Sequence, residues 1–68
     1  RHVNNAHYVR MALELLPADF EPTGLRVEYK RPVQPGAVIQ PTLILQPMAA
    51  YVQLHVGDTL CAVVEFTR

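Results

Sequence analysis

Tryptophan is absent, cysteine occurs once, and the acidic and basic side chains cancel at six of each. Each shortage excludes something. A single cysteine, Cys61, cannot close an internal disulfide, so no covalent staple compensates for a small core. A chain of zero formal net charge offers no electrostatic footprint to a phosphate backbone, which argues against nucleic acid as the main partner. No apolar run approaches the roughly 18 to 20 residues that a bilayer span needs, so no membrane partner is expected. There is no basic-then-apolar leader and no small-residue cleavage pattern, and the expected setting is cytoplasmic.

Half of the 68 residues are apolar, so the chain has the means to fold. A chain of this size buries only about 60% of its unfolded surface. A partner surface, or further chain of a larger protein, is therefore expected to complete the core. Six prolines and three glycines act as punctuation. Pro17 with Pro22, Thr23 and Gly24 flanks one linker; Pro32, Pro35 and Gly36 mark a second; Gln46-Pro47 and Gly57-Asp58 mark two more. They divide the sequence into one helical segment and four extended ones.

Residues 5–16 read as a helix, with Val9, Ala12, Leu13 and Leu16 in one i, i+3, i+4, i+7 row and Tyr8, Met11, Ala12 and Leu15 in another. So wide an apolar arc expects cover on more than one side. Asn4 or Asn5 suits the N-cap, and Pro17 cannot continue the ladder. Residues 25–30 alternate strictly, with Leu25, Val27 and Tyr29 on one face and Arg26, Glu28 and Lys30 on the other. Residues 38–45 form a second extended run, which Pro41 confines to an edge or a bulge. Residues 51–56 and 59–66 are the third and fourth, joined by Gly57-Asp58 as a two-residue hairpin turn. Leu60, Ala62, Val64 and Phe66 are expected to share the inner face of the last. The economical arrangement is α+β: an antiparallel sheet curved around a long helix, with Val9, Leu13 and Leu16 buried against Val27 and Tyr29.

The most informative stretch is His2-Val3-Asn4-Asn5 followed by Ala6-His7-Tyr8. It resembles the acyl-acyl carrier protein (acyl-ACP) thioesterase family, whose members carry an Asp-x-Asn-x-His-Val-Asn-Asn-x-x-Tyr motif at the start of a long helix. Leu25-Arg26-Val27-Glu28-Tyr29-Lys30-Arg31 resembles the family's next strand, and Val63-Val64-Glu65-Phe66 its closing one. The resemblance implies a hot-dog fold, with residues 1–68 as a single, partial hot-dog domain from the C-terminal part of a tandem protein. It implies an enzyme of fatty acid biosynthesis that hydrolyses acyl-ACP thioesters without a cofactor. Its partners would be the acyl carrier protein thioester and a second hot-dog domain or homodimer copy. Of the motif's polar residues before the Val, only His2 carries over. The Glu-Cys pair of plant members falls on Pro32 and Val33, so neither of those side chains carries over.

Thioester hydrolysis needs a base for the attacking water and donors for the developing oxyanion. His2 is the expected base, since imidazole titrates near neutral pH. The free N–H groups of the first helical turn, around Ala6 to Tyr8, are the expected oxyanion donors. Asn4 and Asn5 either cap the helix or help hold the substrate, and Tyr8 falls on the motif's Tyr as a substrate-binding residue; Tyr8, Met11 and Leu15 could line an acyl tunnel, but such rows are ordinary core far more often. No His-Glu-x-x-His pattern exists and His2 and His7 do not share a helical face, so no metal site is expected. His55 is expected on a wet strand face, Glu28 on a solvated charged face, and Cys61 as a small core hydrophobe rather than a nucleophile. The competing reading is a non-catalytic hot-dog packing or dimerisation module whose site is lost.

Overall fold

The computed structural model describes residues 5–68, with side-chain surroundings from residue 6 onward. It contains a helix α1 (Asn5–Leu13) followed by strands β1 (Gly24–Tyr29), β2 (Gln40–Leu45), β3 (Ala49–Val56) and β4 (Thr59–Thr67). The strands form one antiparallel sheet in the order β1-β4-β3-β2. The last three strands are sequential neighbours, as their short connections require. This α+β arrangement is compatible with a hot-dog-like domain.

The long central helix expected from the sequence is not formed, because α1 has only nine residues. Its end is chemical. Leu16 precedes Pro17, whose ring disfavours helical backbone in the residue before it. The chain tightens instead, with the Leu15 N–H donating to the Ala12 carbonyl (3.1 Å) and the Leu16 N–H to that of Leu13 (3.2 Å). These are 3₁₀-type bonds, common at helix ends.

The face that α1 turns to the sheet also differs from expectation. Tyr8 and Ala12 are buried, Met11 and Leu15 pack half-buried on the core, and Leu13 stays 46% exposed. The Tyr8, Met11, Ala12 and Leu15 row faces inward; of the other row, Leu16 also packs half-buried on the core, while Val9 is half-buried and Leu13 is turned toward the sheet's rim. The pairing of a large ring with a methyl side chain one turn later explains the choice, since Ala12 lets the helix backbone approach β4 closely.

Strand register gives the inner face three apolar rows. They are Leu25–Phe66–Ala50–Leu45, Val27–Val64–Val52–Leu43 and Tyr29–Ala62–Leu54–Pro41, read from β1 to β2. The outer face carries Arg26–Glu65–Tyr51–Ile44 and Glu28–Val63–Gln53–Thr42. The central strands supply the buried members, Phe66, Val64, Val52 and Leu54, while Leu25, Tyr29 and Leu45 at the two edges remain about half exposed. Pro41 lies on edge strand β2, where its missing donor is tolerated.

The β3–β4 pairing contains a bulge. Leu54 faces Ala62, but the next pair is His55 and Leu60, so Cys61 is skipped. The extra residue shifts the alternation, turning both Cys61 and Ala62 inward and leaving Leu60 half-buried opposite His55. Leu60 therefore does not share the inner face of Ala62, Val64 and Phe66 as expected; Cys61 takes that place. At the hairpin tip Gly57 has φ +59° and Asp58 has no positive φ, the pattern of a type II′ turn. The Gln34–Pro35–Gly36–Ala37 turn closes with the Ala37 N–H donating to the Gln34 carbonyl (3.2 Å), with Gly36 at φ +89°. It folds Val33 into the core beside the Cys61 end of the sheet.

Candidate functional site at the helix start

Of the expected site, His2 and Asn4 lie outside the described residues. Asn5 is the first residue of α1. In general the first N–H groups of a helix lack an intrahelical acceptor, and α1 begins such a turn at Asn5. His7, in this turn, has an exposed side chain. Tyr8 points the other way, into the core, at 3% exposure.

Tyr8 meets the β1–β4 part of the sheet. Its ring centroid is 5.8 Å from that of Tyr29, with the planes inclined at 39°, a tilted aromatic contact. Its phenol pKa is raised above the ordinary value, first by burial, then by the nearby Cys61 thiol and Tyr29 phenol, whose ionised forms would repel a tyrosinate. Tyr8 is thereby held as a neutral phenol, a donor and acceptor of hydrogen bonds rather than an anion. The Cys61 thiol is buried and donates to the Thr59 carbonyl at 3.7 Å. Cys61 is thus core, as expected from the sequence. Its approach to Tyr8 had no signal in the sequence, because only the bulge brings it to this face. Tyr29, by contrast, was readable as an inner-face residue through its alternation with Glu28 and Lys30.

The remaining polar candidates sit elsewhere. His55 is on the outer face, across the sheet from α1. Glu28 is exposed on the same outer face and paired with Lys30 Nζ at 3.2 Å. Among the described residues, no three His, Cys, Asp or Glu side chains gather as a metal site, and no helix is long and apolar enough to cross a membrane. Pro32 is exposed and Val33 is buried at 2%, so the positions of the plant Glu-Cys pair hold an exposed proline and a core contact.

Two grooves adjoin the sheet, one of them beside α1. One, of about 260 Å³, runs between α1 and the β1 edge and is lined by Val9, Leu13, Leu25 and Phe66 with the Pro22–Gly24 backbone. The other, of about 230 Å³, lies at the Val33, Val56 and Cys61 end. Both have mainly apolar walls.

The sequence profile of the family described as Acyl-ACP thioesterase C-terminal domain matches residues 1–60. No curated protein and no solved structure matches the chain. The matched span takes in the His2-Val3-Asn4-Asn5 segment, α1, β1, β2 and β3. By that match over most of its length, the chain belongs to the acyl-ACP thioesterase family, as its C-terminal domain.

Proposed function

We propose that this chain forms part of the active site of an acyl-ACP thioesterase, contributing a histidine base and a helix start to thioester hydrolysis. The observation that supports this reading is the family match, which begins on the His2-containing segment and runs into α1. In the proposed reaction, His2 takes a proton from water as the water oxygen bonds to the thioester carbonyl carbon. Negative charge then develops on the carbonyl oxygen, where N–H groups of the first turn of α1 hold it. Collapse of the tetrahedral intermediate breaks the C–S bond, and the proton returns to the departing sulfur. The products are a free fatty acid and the carrier thiol.

Asn4 and Asn5 position the histidine and the substrate carbonyl in this scheme, and neutral Tyr8 forms the floor beneath the helix start. The chemistry uses no cofactor. The second hot-dog domain, or a second copy, completes the acyl site, in the cytoplasmic setting of fatty acid synthesis.

In the full-length protein, His2→Ala is expected to lower kcat for acyl-ACP hydrolysis by about 10²-fold or more, the range for losing a general base. Cys61→Ala leaves kcat within a few-fold. Parent-like turnover in His2→Ala, with an unchanged circular dichroism spectrum, removes His2 from the mechanism. Loss at both positions points instead to a cysteine nucleophile. A parent with no turnover on any acyl thioester returns the chain to the packing-module reading.

A further inference from the structure

The fold uses the ring of Tyr8 and leaves its hydroxyl unused. The side chain is 3% exposed, and its ring packs on that of Tyr29. No hydrogen bond joins the hydroxyl to another described residue. A buried phenol ordinarily finds a partner. The acceptors at this end of the sheet are engaged elsewhere. The Cys61 carbonyl takes the Lys30 N–H at 2.8 Å and the Arg31 N–H at 3.1 Å, and the Thr59 carbonyl takes the Cys61 thiol. Among the described residues no fully buried side-chain nitrogen or oxygen lacks a partner. The Tyr8 oxygen is therefore not sealed in the core: it keeps a contact with the surface while the ring is covered.

Helix geometry says where that contact opens. Side chains of a helix lean toward its N-terminus and lie over the turn before their own Cα. Tyr8 is the fourth residue of α1, so its phenol is carried back along the core side of the first turn, toward the helix start. The N–H groups of a first turn point the same way along the axis. The phenol oxygen and that turn therefore face one space.

We propose that the Tyr8 hydroxyl is a catalytic hydrogen-bond donor, which binds the thioester carbonyl oxygen beside the first-turn N–H groups and holds it more tightly as it becomes an oxyanion. The inference rests on the thioesterase reading and adds to it a donor that the sheet helps to aim, since Tyr29 of β1 fixes the ring at 5.8 Å between centroids. The phenol donates a hydrogen bond and keeps its proton throughout, so His2 remains the base. Burial and the neighbouring Cys61 and Tyr29 disfavour tyrosinate, which could not donate. A donor fixed in advance where charge develops favours the transition state over the bound substrate. A tyrosine that served packing alone would be replaceable by Phe without loss of rate.

In the full-length protein, Tyr8→Phe is expected to lower kcat for acyl-ACP hydrolysis on the order of 10²-fold, the range for losing one oxyanion donor, with KM little changed. The direct readout is the infrared carbonyl band of a bound ketone analogue of acyl-pantetheine, in which a methylene group replaces the sulfur so that no bond breaks. A hydrogen bond lowers the carbonyl stretch. The band is therefore expected to move up toward its unbonded position in Tyr8→Phe and to stay in place in Tyr29→Phe. Should Tyr8→Phe lose the parent's far-ultraviolet spectrum, fluorotyrosine in place of Tyr8 decides: it keeps the ring, is the stronger donor, and is required to lower the band further. An unmoved band in Tyr8→Phe overturns the proposal even where the rate falls; if His2→Ala still loses turnover, the thioesterase reading stands without it. A parent with no turnover whose analogue band still depends on Tyr8 removes the catalytic reading and retains the hydrogen bond. An analogue that does not bind the parent overturns the proposal.

Discussion

Phe66 is the side chain whose loss the fold is least able to absorb. It is 2% exposed, the largest of the fully buried side chains, and lies on the inner row between Leu25 of β1 and Ala50 of β3. Ala50 is small, and the α1 side chains that share a groove with Phe66, Val9 and Leu13, are smaller than the ring, so the space Phe66 vacates is refilled only in part. Truncating such a ring to Ala costs about 3 to 5 kcal/mol, transfer and cavity terms together. A domain of this length holds about 3 to 10 kcal/mol in total, from roughly 0.05 to 0.15 kcal/mol per residue. Phe66→Ala is therefore expected to remove most of the stability. Leu45→Ala in the same row is the control: Leu45 is 49% exposed at the β2 edge, and its truncation is expected to cost about 1 kcal/mol. Urea unfolding followed by far-ultraviolet circular dichroism, at one fixed protein concentration so that any association is held constant, measures both. Equal costs for the two variants, or a Phe66→Ala cost below about 1 kcal/mol, would refute the reasoning that position along the row, and not apolar character alone, sets the contribution.

Three further outcomes test particular features. Tyr8 has its phenol pKa raised by burial, so the folded chain keeps a proton that the unfolded chain loses as pH climbs past the ordinary tyrosine range. Stability is fully present below that range and falls as pH rises through it toward the folded pKa; Tyr8→Phe is expected to flatten the fall in alkaline urea titrations. The buried Cys61 thiol is expected to react with a disulfide reagent at least on the order of a hundredfold more slowly than in the urea-unfolded chain, and equal rates would place it at the surface. Gly57 sits at φ +59°, so Gly57→Ala is expected to destabilise by about 1 to 2 kcal/mol in the same urea assay, with Gly57→Asn milder.

The strands were legible because their faces have different solvents. Leu25, Val27 and Tyr29 against Arg26, Glu28 and Lys30 is a period-two record of one wet side, and the structure pairs all but Lys30 in β1 as that record implies. Gly57 and Pro41 were legible for a similar reason, since each solves a local backbone problem that few residues solve. The helix was harder. Its two apolar rows share Ala12, and periodicity alone does not say which row finds the sheet; packing chose the one containing Tyr8. Leu15 and Leu16 fit the apolar period and lengthen the helix that the sequence predicts, while the backbone restriction imposed by Pro17 acts before the proline itself. The bulge left no trace at all. Leu60, Ala62, Val64 and Phe66 alternate without interruption in sequence, yet the partner strand decides where one residue is skipped. For the same reason the nearness of Cys61 to Tyr8 was invisible: it is a property of two strands and a helix, not of either segment. The helix-start motif, by contrast, was legible as a resemblance, because its chemistry is concentrated in adjacent residues.

The place of β4 in the sheet bears on how the chain is made. β4 is the seam between β1 and the β2–β3 hairpin, since it is the partner of both β1 and β3. Its pairs with β1 join residues as far apart in sequence as Gly24 and Thr67. During synthesis, therefore, the uncharged hairpin of β2 and β3 leaves the ribosome before β4, and β1 lacks its β4 partner until residues 59–67 follow. Closure of so long a loop comes late and slowly. Chaperone demand and premature-termination damage should both be governed by this one strand: a nascent chain halted at Gly57 exposes every inner row, whereas one carried through Thr67 can close the whole sheet.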